Sequence, residues 1–103
     1  MSVKAKQNEN KEMEMFQAVV KGKVQGVSYR WSAEQLADSL HIRGWVQNQP
    51  DGSVSIYATG HRENVEDFFQ WIKKGPPASE VRSVDIQWGK TTEEKFSEFS
   101  ILS

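Results

Sequence analysis

Between residues 14 and 21 the side chains alternate, with Phe16, Ala18 and Val20 on one side and Gln17, Val19 and Lys21 on the other. That period of two marks a strand with one face on a core, and it predicts a first strand from Glu14 to Lys21. From Tyr29 the spacing becomes helical: Tyr29, Ala33, Leu36, Ala37 and Leu40 share a stripe, which predicts a helix from Tyr29 to His41 with Trp31 off the stripe. Arg43 to Gln49, centred on Trp45 and Val46, reads as a second strand. Pro50-Asp51-Gly52 then supplies a turn. A third strand, Ser53 to Thr59, alternates Val54, Ile56 and Ala58 against Ser55, Tyr57 and Thr59. Beyond Gly60, Val65, Phe68, Phe69 and Ile72 lie on one face of a second helix, which is core spacing for the two phenylalanines. Glu63, Glu66 and Asp67 fall early in that helix, and Lys73-Lys74-Gly75-Pro76-Pro77 gives a charge-matched stop. Val84, Ile86 and Trp88 alternate in a fourth strand, and Phe99 and Ile101 in a short fifth beyond a charged turn at 90–95.

The resulting order, βαββαβ plus a short fifth strand, predicts an α+β, ferredoxin-like two-layer sandwich. It has an antiparallel sheet with two helices on one face. Residues 1–13 are polar, mixed in charge and without apolar period, and read as a flexible N-terminal tail ahead of one domain at 14–103. A chain of 103 residues has room for a single core.

Thirteen basic and fourteen acidic residues leave a net charge of -1, so no general field draws the protein to nucleic acid or an anionic membrane. Any anion site must therefore be local. The chain has no cysteine, which excludes disulfides, thiolate metal sites and a Cys nucleophile and is compatible with a reducing compartment. Its two histidines, His41 and His61, are far apart in sequence and show no metal-ligand spacing; both read as surface residues at element ends. No apolar run approaches the ~20 residues of a membrane span, and the N-terminus lacks the apolar centre of a signal peptide. A cytoplasmic monomer is the expectation.

Chemistry concentrates in Gly22-Lys-Val-Gln-Gly-Val-Ser-Tyr-Arg30, which joins the first strand to the first helix. Glycines at 22 and 26 permit positive φ angles, so successive backbone N–H groups can converge on one place and bind an anion. Arg30 falls in the first helical turn, at the positive end of the macrodipole, where a cation costs roughly 0.3–1 kcal/mol unless an anion compensates it. Either Arg30 is a solvated cation beside a glycine turn, or it closes on a bound oxyanion, of which phosphate fits best. In a split βαβ unit the first two strands run parallel, so this loop meets the end of the second strand at Asn48. Asn48 offers a neutral donor and acceptor for a water beside an oxyanion; alternatively, it bonds its own turn.

Gly22 to Arg30 and Gly44-Trp-Val-Gln-Asn-Gln-Pro-Asp-Gly-Ser-Val54, in this order and strand context, resemble the two signature motifs of acylphosphatases, with similarity from about Phe16 to Ile101. The resemblance implies hydrolysis of the carboxyl–phosphate bond of acyl phosphates, with no metal or organic cofactor. By position, Arg30 matches the phosphate-binding arginine and Asn48 the asparagine that orients the attacking water. Gln25, Gly26, Val27, Ser28 and Tyr29, with Arg30, match the backbone cradle of the phosphate. Gln49 stands where the family often has Thr, and Phe99-Ser-Ile-Leu-Ser103 departs from the frequent Phe-x-Ile-Arg-Tyr.

So sparse a site suits that chemistry. A carboxylate whose conjugate acid has a pKa of about 4–5 departs without a strong general acid. The protein has only to position a water and match charge on the transferring phosphoryl group. The expected partners are a small-molecule acyl phosphate and inorganic phosphate as product and inhibitor, with no nucleic acid and no membrane. The alternative reading is a catalytically idle anion-binding or regulatory module on the same fold. RNA binding on the open sheet face has only Tyr57 as a clear stacking candidate and an acidic chain against it. A nucleotide P-loop is excluded because Gly26 is not followed by Gly-Lys-Ser/Thr.

Overall fold

The computed structural model describes residues 13–91 and 96–103. The elements follow as β1 (Met13–Lys23), α1 (Tyr29–Ser39), β2 (Arg43–Asn48), β3 (Val54–Gly60), α2 (Arg62–Ile72), β4 (Glu80–Thr91) and β5 (Phe99–Leu102). Met13, the last residue assigned to the tail, already pairs with Thr91, while 1–12 and the charged stretch 92–95 lie outside the described residues. The strand order is β4-β1-β3-β2-β5. β1 pairs antiparallel with both β3 and β4, and β2 with β3.

One pairing departs from the expected antiparallel sheet, because β5 joins the free edge of β2 in parallel. After β4 the chain crosses to the opposite edge of the sheet, so β4 and β5 are not neighbours and no hairpin fixes their direction. With β3 between them, β1 and β2 run parallel, and β5 runs with β2. The C-terminal ends of all three therefore emerge at one edge, where the site lies.

The inward face of the sheet presents Phe16, Ala18, Val20, Val46, Val54, Ile56 and Ala58 to Tyr29, Ala33 and Ala37 of α1 and to Val65, Phe68 and Ile72 of α2, all buried. Each fully buried Val, Ile or Phe stabilises the fold by roughly 1.5–3 kcal/mol relative to exposure. Phe68 stacks near Phe16, with ring centres 6.2 Å apart, and meets Phe99 edge-on at 5.6 Å, so α2 locks both the centre and the far edge of the sheet. On the opposite, open face Tyr57 is only 8% exposed, covered by Trp45 and by Phe96, whose ring centre lies 5.2 Å away. The ring singled out for base stacking is thus already stacked by the protein.

Two local departures from the sequence expectation have clear causes. β1 continues two residues past Lys21 through a bulge against β4 at Lys21/Gly22. Gly22 has φ 131°, and a Cβ there would collide with the Glu80 carbonyl oxygen. Gly22 therefore serves the bulge and not the anion loop. α1 ends at Ser39 and not at His41, because His41 adopts φ 57°. Ile42 N–H then donates to Ala37 O at 2.8 Å and His41 N–H to Asp38 O at 3.2 Å, a Schellman closure with histidine in the position usually given to glycine. Both histidines are exposed, as expected.

Candidate active site

Residues 24–28 carry the chain from β1 into α1. Gly26 has φ 74°, and Ser28, the N-cap of α1, has φ 65° and ψ 22°. A serine N-cap ordinarily has extended angles and turns its hydroxyl onto the helix N–H groups. Ser28 is instead left-handed and makes no side-chain cap bond. A left-handed residue leading into right-handed helix aims consecutive N–H groups at one point, the geometry of an anion nest. The first turn of α1 holds no acidic residue, so nothing on the helix answers its orphan N–H groups or the positive end of its dipole.

Arg30 adds a cation to that end. Its Nη1 donates to the Leu102 carbonyl of β5 at 3.3 Å. A carbonyl is neutral, so this bond fixes the guanidinium without cancelling its charge. Arg30 shares a cavity of about 190 Å³ with Val24, Gly26, Ser28, Tyr29, Trp31, Asn48 and Ile101. That is below the roughly 300–1,000 Å³ of pockets for drug-sized ligands, and suits a phosphate-sized group.

Asn48 closes the opposite side. It is the last residue of β2 and follows Val46 on the core-facing side of the strand, whereas Gln47 and Gln49 point the other way. Gln49 Nε2 accordingly meets Gln47 Oε1 at 3.4 Å, and Gln47 Nε2 donates to the Ser103 carbonyl at 2.9 Å. Neither glutamine supports Asn48. Among the described residues, Asn48 Oδ1 is the one buried side-chain polar atom left without a hydrogen-bond partner. Asn48 does not bond the turn either. That task falls to Asp51, which accepts from Ser53 N–H at 3.0 Å and from Ser53 Oγ at 2.6 Å. These two bonds hold the Asp51 carboxyl below its ordinary pKa of 3.8.

Of the residues read as the phosphate cradle, Gly26, Ser28, Tyr29 and Arg30 line the cavity with Asn48, whereas Gln25 and Val27 do not. Val27 packs against the core. Gln25 turns its side-chain amide to the hairpin, donating to Gln49 O and to Ser53 O. The Tyr29 hydroxyl is engaged elsewhere: it donates to the Ile72 carbonyl at the end of α2 at 2.7 Å, and burial pushes the phenol well above its ordinary pKa. Tyr29 thus anchors the loop to α2 as a neutral phenol. Sequence reasoning missed Val24, Trp31 and Ile101 as lining residues. Trp31 did carry a signal, since it adjoins Arg30 and falls off the apolar stripe. No helix of the described residues is long and apolar enough to cross a membrane, and none of their His, Cys, Asp and Glu groups cluster in threes to hold a metal ion.

Comparison with known proteins agrees over most of the chain. The family model described as Acylphosphatase matches residues 16–101. An acylphosphatase of Acaryochloris marina is 48% identical over 84 residues, which are 82% of this chain and 85% of that protein. The crystal structure of acylphosphatase from Bacillus subtilis superposes with a TM-score of 0.81 at 32% identity, covering 87% of this chain and 99% of that one. The structure of an acylphosphatase from Coxiella burnetii gives a TM-score of 0.79 at 34% identity, covering 89% and 95%. On this evidence of sequence and shape together, the chain belongs to the acylphosphatase family.

Proposed function

We propose that Arg30 and the backbone N–H groups of the 25–30 loop hold the phosphate of an acyl phosphate while Asn48 orients the attacking water. The activity is hydrolysis of acyl phosphates, as membership of this family implies. The observation that carries the residue roles is the convergence in one small cavity of a guanidinium, an unanswered helix N-terminus and a buried side-chain oxygen lacking a donor. Asn48 Oδ1 is an acceptor, and a water that donates one O–H to it turns its lone pair elsewhere, toward phosphorus.

In the step itself, the water oxygen bonds to phosphorus as the bond between phosphorus and the acyl oxygen breaks. The electron pair leaves with the carboxylate, and the proton released by the water ends on the phosphate. A carboxylate is stable at neutral pH, so no side chain has to protonate it. Arg30 and the loop amides balance the charge on the equatorial oxygens, which is the main demand of a loose phosphoryl-transfer transition state. No observation favours the idle anion-binding module.

We also propose that the catalytic unit begins with β1 at Met13 and runs through residue 103, supported by the pairing of Met13 with Thr91 and by a family match that begins at residue 16. The same reading makes the protein a cytoplasmic monomer with inorganic phosphate as its product inhibitor: the lack of cysteine is compatible with a reducing compartment, the small chain is compatible with a monomer, and phosphate is the product that the Arg30 pocket would retain. Steady-state hydrolysis of benzoyl phosphate, followed by ultraviolet absorbance before and after dialysis against a strong chelator, tests the function. Turnover is expected and is expected to survive dialysis. Phosphate binding without turnover would restore the idle module, and activity restored only by added Mg²⁺ or Zn²⁺ would overturn the metal-free mechanism.

A further inference from the structure

Large apolar side chains are rarely left in water, and here their placement is uneven. Among the described residues the exposed ones are Trp31 at 59%, Trp88 at 44%, Leu102 at 38% and Ile101 at 37%. Trp88 packs on the core, its ring centre 5.2 Å from both Phe16 and Phe69. Two of the other three, Trp31 and Ile101, lie at the candidate active site. Trp31 and Ile101 line its cavity, and the Leu102 carbonyl receives the Arg30 guanidinium. Clustered exposed apolar surface beside a polar pocket marks a binding site for an apolar group.

An acyl phosphate has two ends of opposite character. Arg30, Ser28 and Asn48 account for the phosphate end, and the small cavity they line cannot also enclose a bulky acyl group. The acyl end must then lie over the rim of the cavity. Trp31 follows Arg30 directly in α1, while Ile101 comes from β5. The rim is thus one aromatic and one branched aliphatic side chain. Resting on the proposed roles of Arg30 and Asn48, we infer that Trp31 and Ile101 form an acyl platform that selects acyl phosphates of aromatic or bulky aliphatic acids over acetyl phosphate. The preference resides in KM more than in kcat, because the platform touches the acyl group and not the phosphorus or its water.

The test compares benzoyl phosphate with acetyl phosphate as substrates of the parent, Trp31→Ala, Trp31→Phe and Ile101→Ala. The parent is expected to show a lower KM for benzoyl phosphate. Trp31→Ala should reduce the ratio of kcat/KM for benzoyl over acetyl phosphate roughly three- to tenfold, the effect of one aromatic contact. Trp31→Phe should restore most of that ratio, and Ile101→Ala should lower it independently. Inhibition by inorganic phosphate, which has no acyl end, reports whether each variant keeps its phosphate pocket. Equal KM values in the parent, or a ratio that Trp31→Ala and Ile101→Ala leave unchanged, would overturn the platform while leaving the phosphate site standing. A parent that hydrolyses neither substrate would overturn the reading beneath it.

Discussion

The side-chain amide of Gln25 ties the anion loop to the hairpin at Gln49: Nε2 donates to Gln49 O at 2.8 Å and, with its second hydrogen, to Ser53 O at 2.9 Å. The two carbonyls flank the three-residue loop Pro50-Asp51-Gly52, and Gln49 N–H also bonds Ser53 O at 2.8 Å. One amide therefore sets the distance between the loop that leads to Arg30 and the strand end that bears Asn48. Gln25→Leu keeps the approximate volume and removes both bonds. It should cost about 1–3 kcal/mol of stability and lower kcat roughly tenfold or more through misplacement of the water relative to the phosphate. Denaturant midpoints and steady-state kinetics on one preparation measure both; a destabilised variant with parental kcat would show that the tie is structural only.

Arg30 and Asn48 should fail differently. Asn48→Ala is expected to depress kcat strongly while phosphate still inhibits nearly as in the parent, since Arg30 and the loop remain. Arg30→Ala should lose both turnover and phosphate affinity. Arg30→Lys keeps the charge but replaces a planar fork of donors by a point charge, and should still lose about 10²-fold in kcat. Near-parental rates in the lysine variant would reduce Arg30 to a counter-charge, and full turnover by a well-folded Asn48→Ala would remove its assignment to the water.

His41 carries the backbone cost of closing α1. At φ 57° a residue with a Cβ is strained, and glycine is the usual occupant of this position in a Schellman closure. His41→Gly should raise stability by about 0.5–1 kcal/mol despite the greater freedom glycine gives the unfolded chain. A shift of the urea midpoint to higher denaturant with unchanged slope would agree, and a shift to lower denaturant would refute it.

Acid should weaken the β2–β3 hairpin through Asp51. Its folded-state pKa lies below the ordinary 3.8 because Ser53 bonds the carboxylate twice. Above 3.8 the carboxylate is ionised in both states and contributes its full effect. As pH falls below 3.8 the unfolded chain takes up the proton first, and the stabilisation is lost progressively through the folded-state pKa. Unfolding measured between pH 5 and pH 2 should show a shallower acid limb for Asp51→Asn than for the parent. Identical limbs would mean that other carboxylates govern acid stability.

The element order and the inward faces were legible because each rests on local information, and the meeting of Arg30 and Asn48 in one cavity because a topological rule carries it. Alternation fixed which side of β1 and β3 faces the core, and the split βαβ rule brought the loop to Asn48. Termini were less legible where one backbone angle decided them. Nothing in the residue types announced that His41 would take a left-handed φ, or that Gly22 would be needed in a bulge against Glu80 and not in the loop. The direction of β5 was hidden for another reason: it depends on which edge the chain reaches after β4. Ile101 and Leu102 could therefore not be assigned to the site from sequence.

Because β5 docks against β2 only after the chain has crossed from the far edge, the bond between Arg30 and the Leu102 carbonyl joins residues 72 positions apart. Such contacts close slowly, since a long loop must lose its freedom before the contact repays it. The loop, α1 and Asn48 can reach near-native positions while the guanidinium is still unheld. Holding the guanidinium is therefore tied to the docking of β5, whose Phe99 also packs on Phe68, and regain of turnover during refolding is expected to follow the docking of that strand.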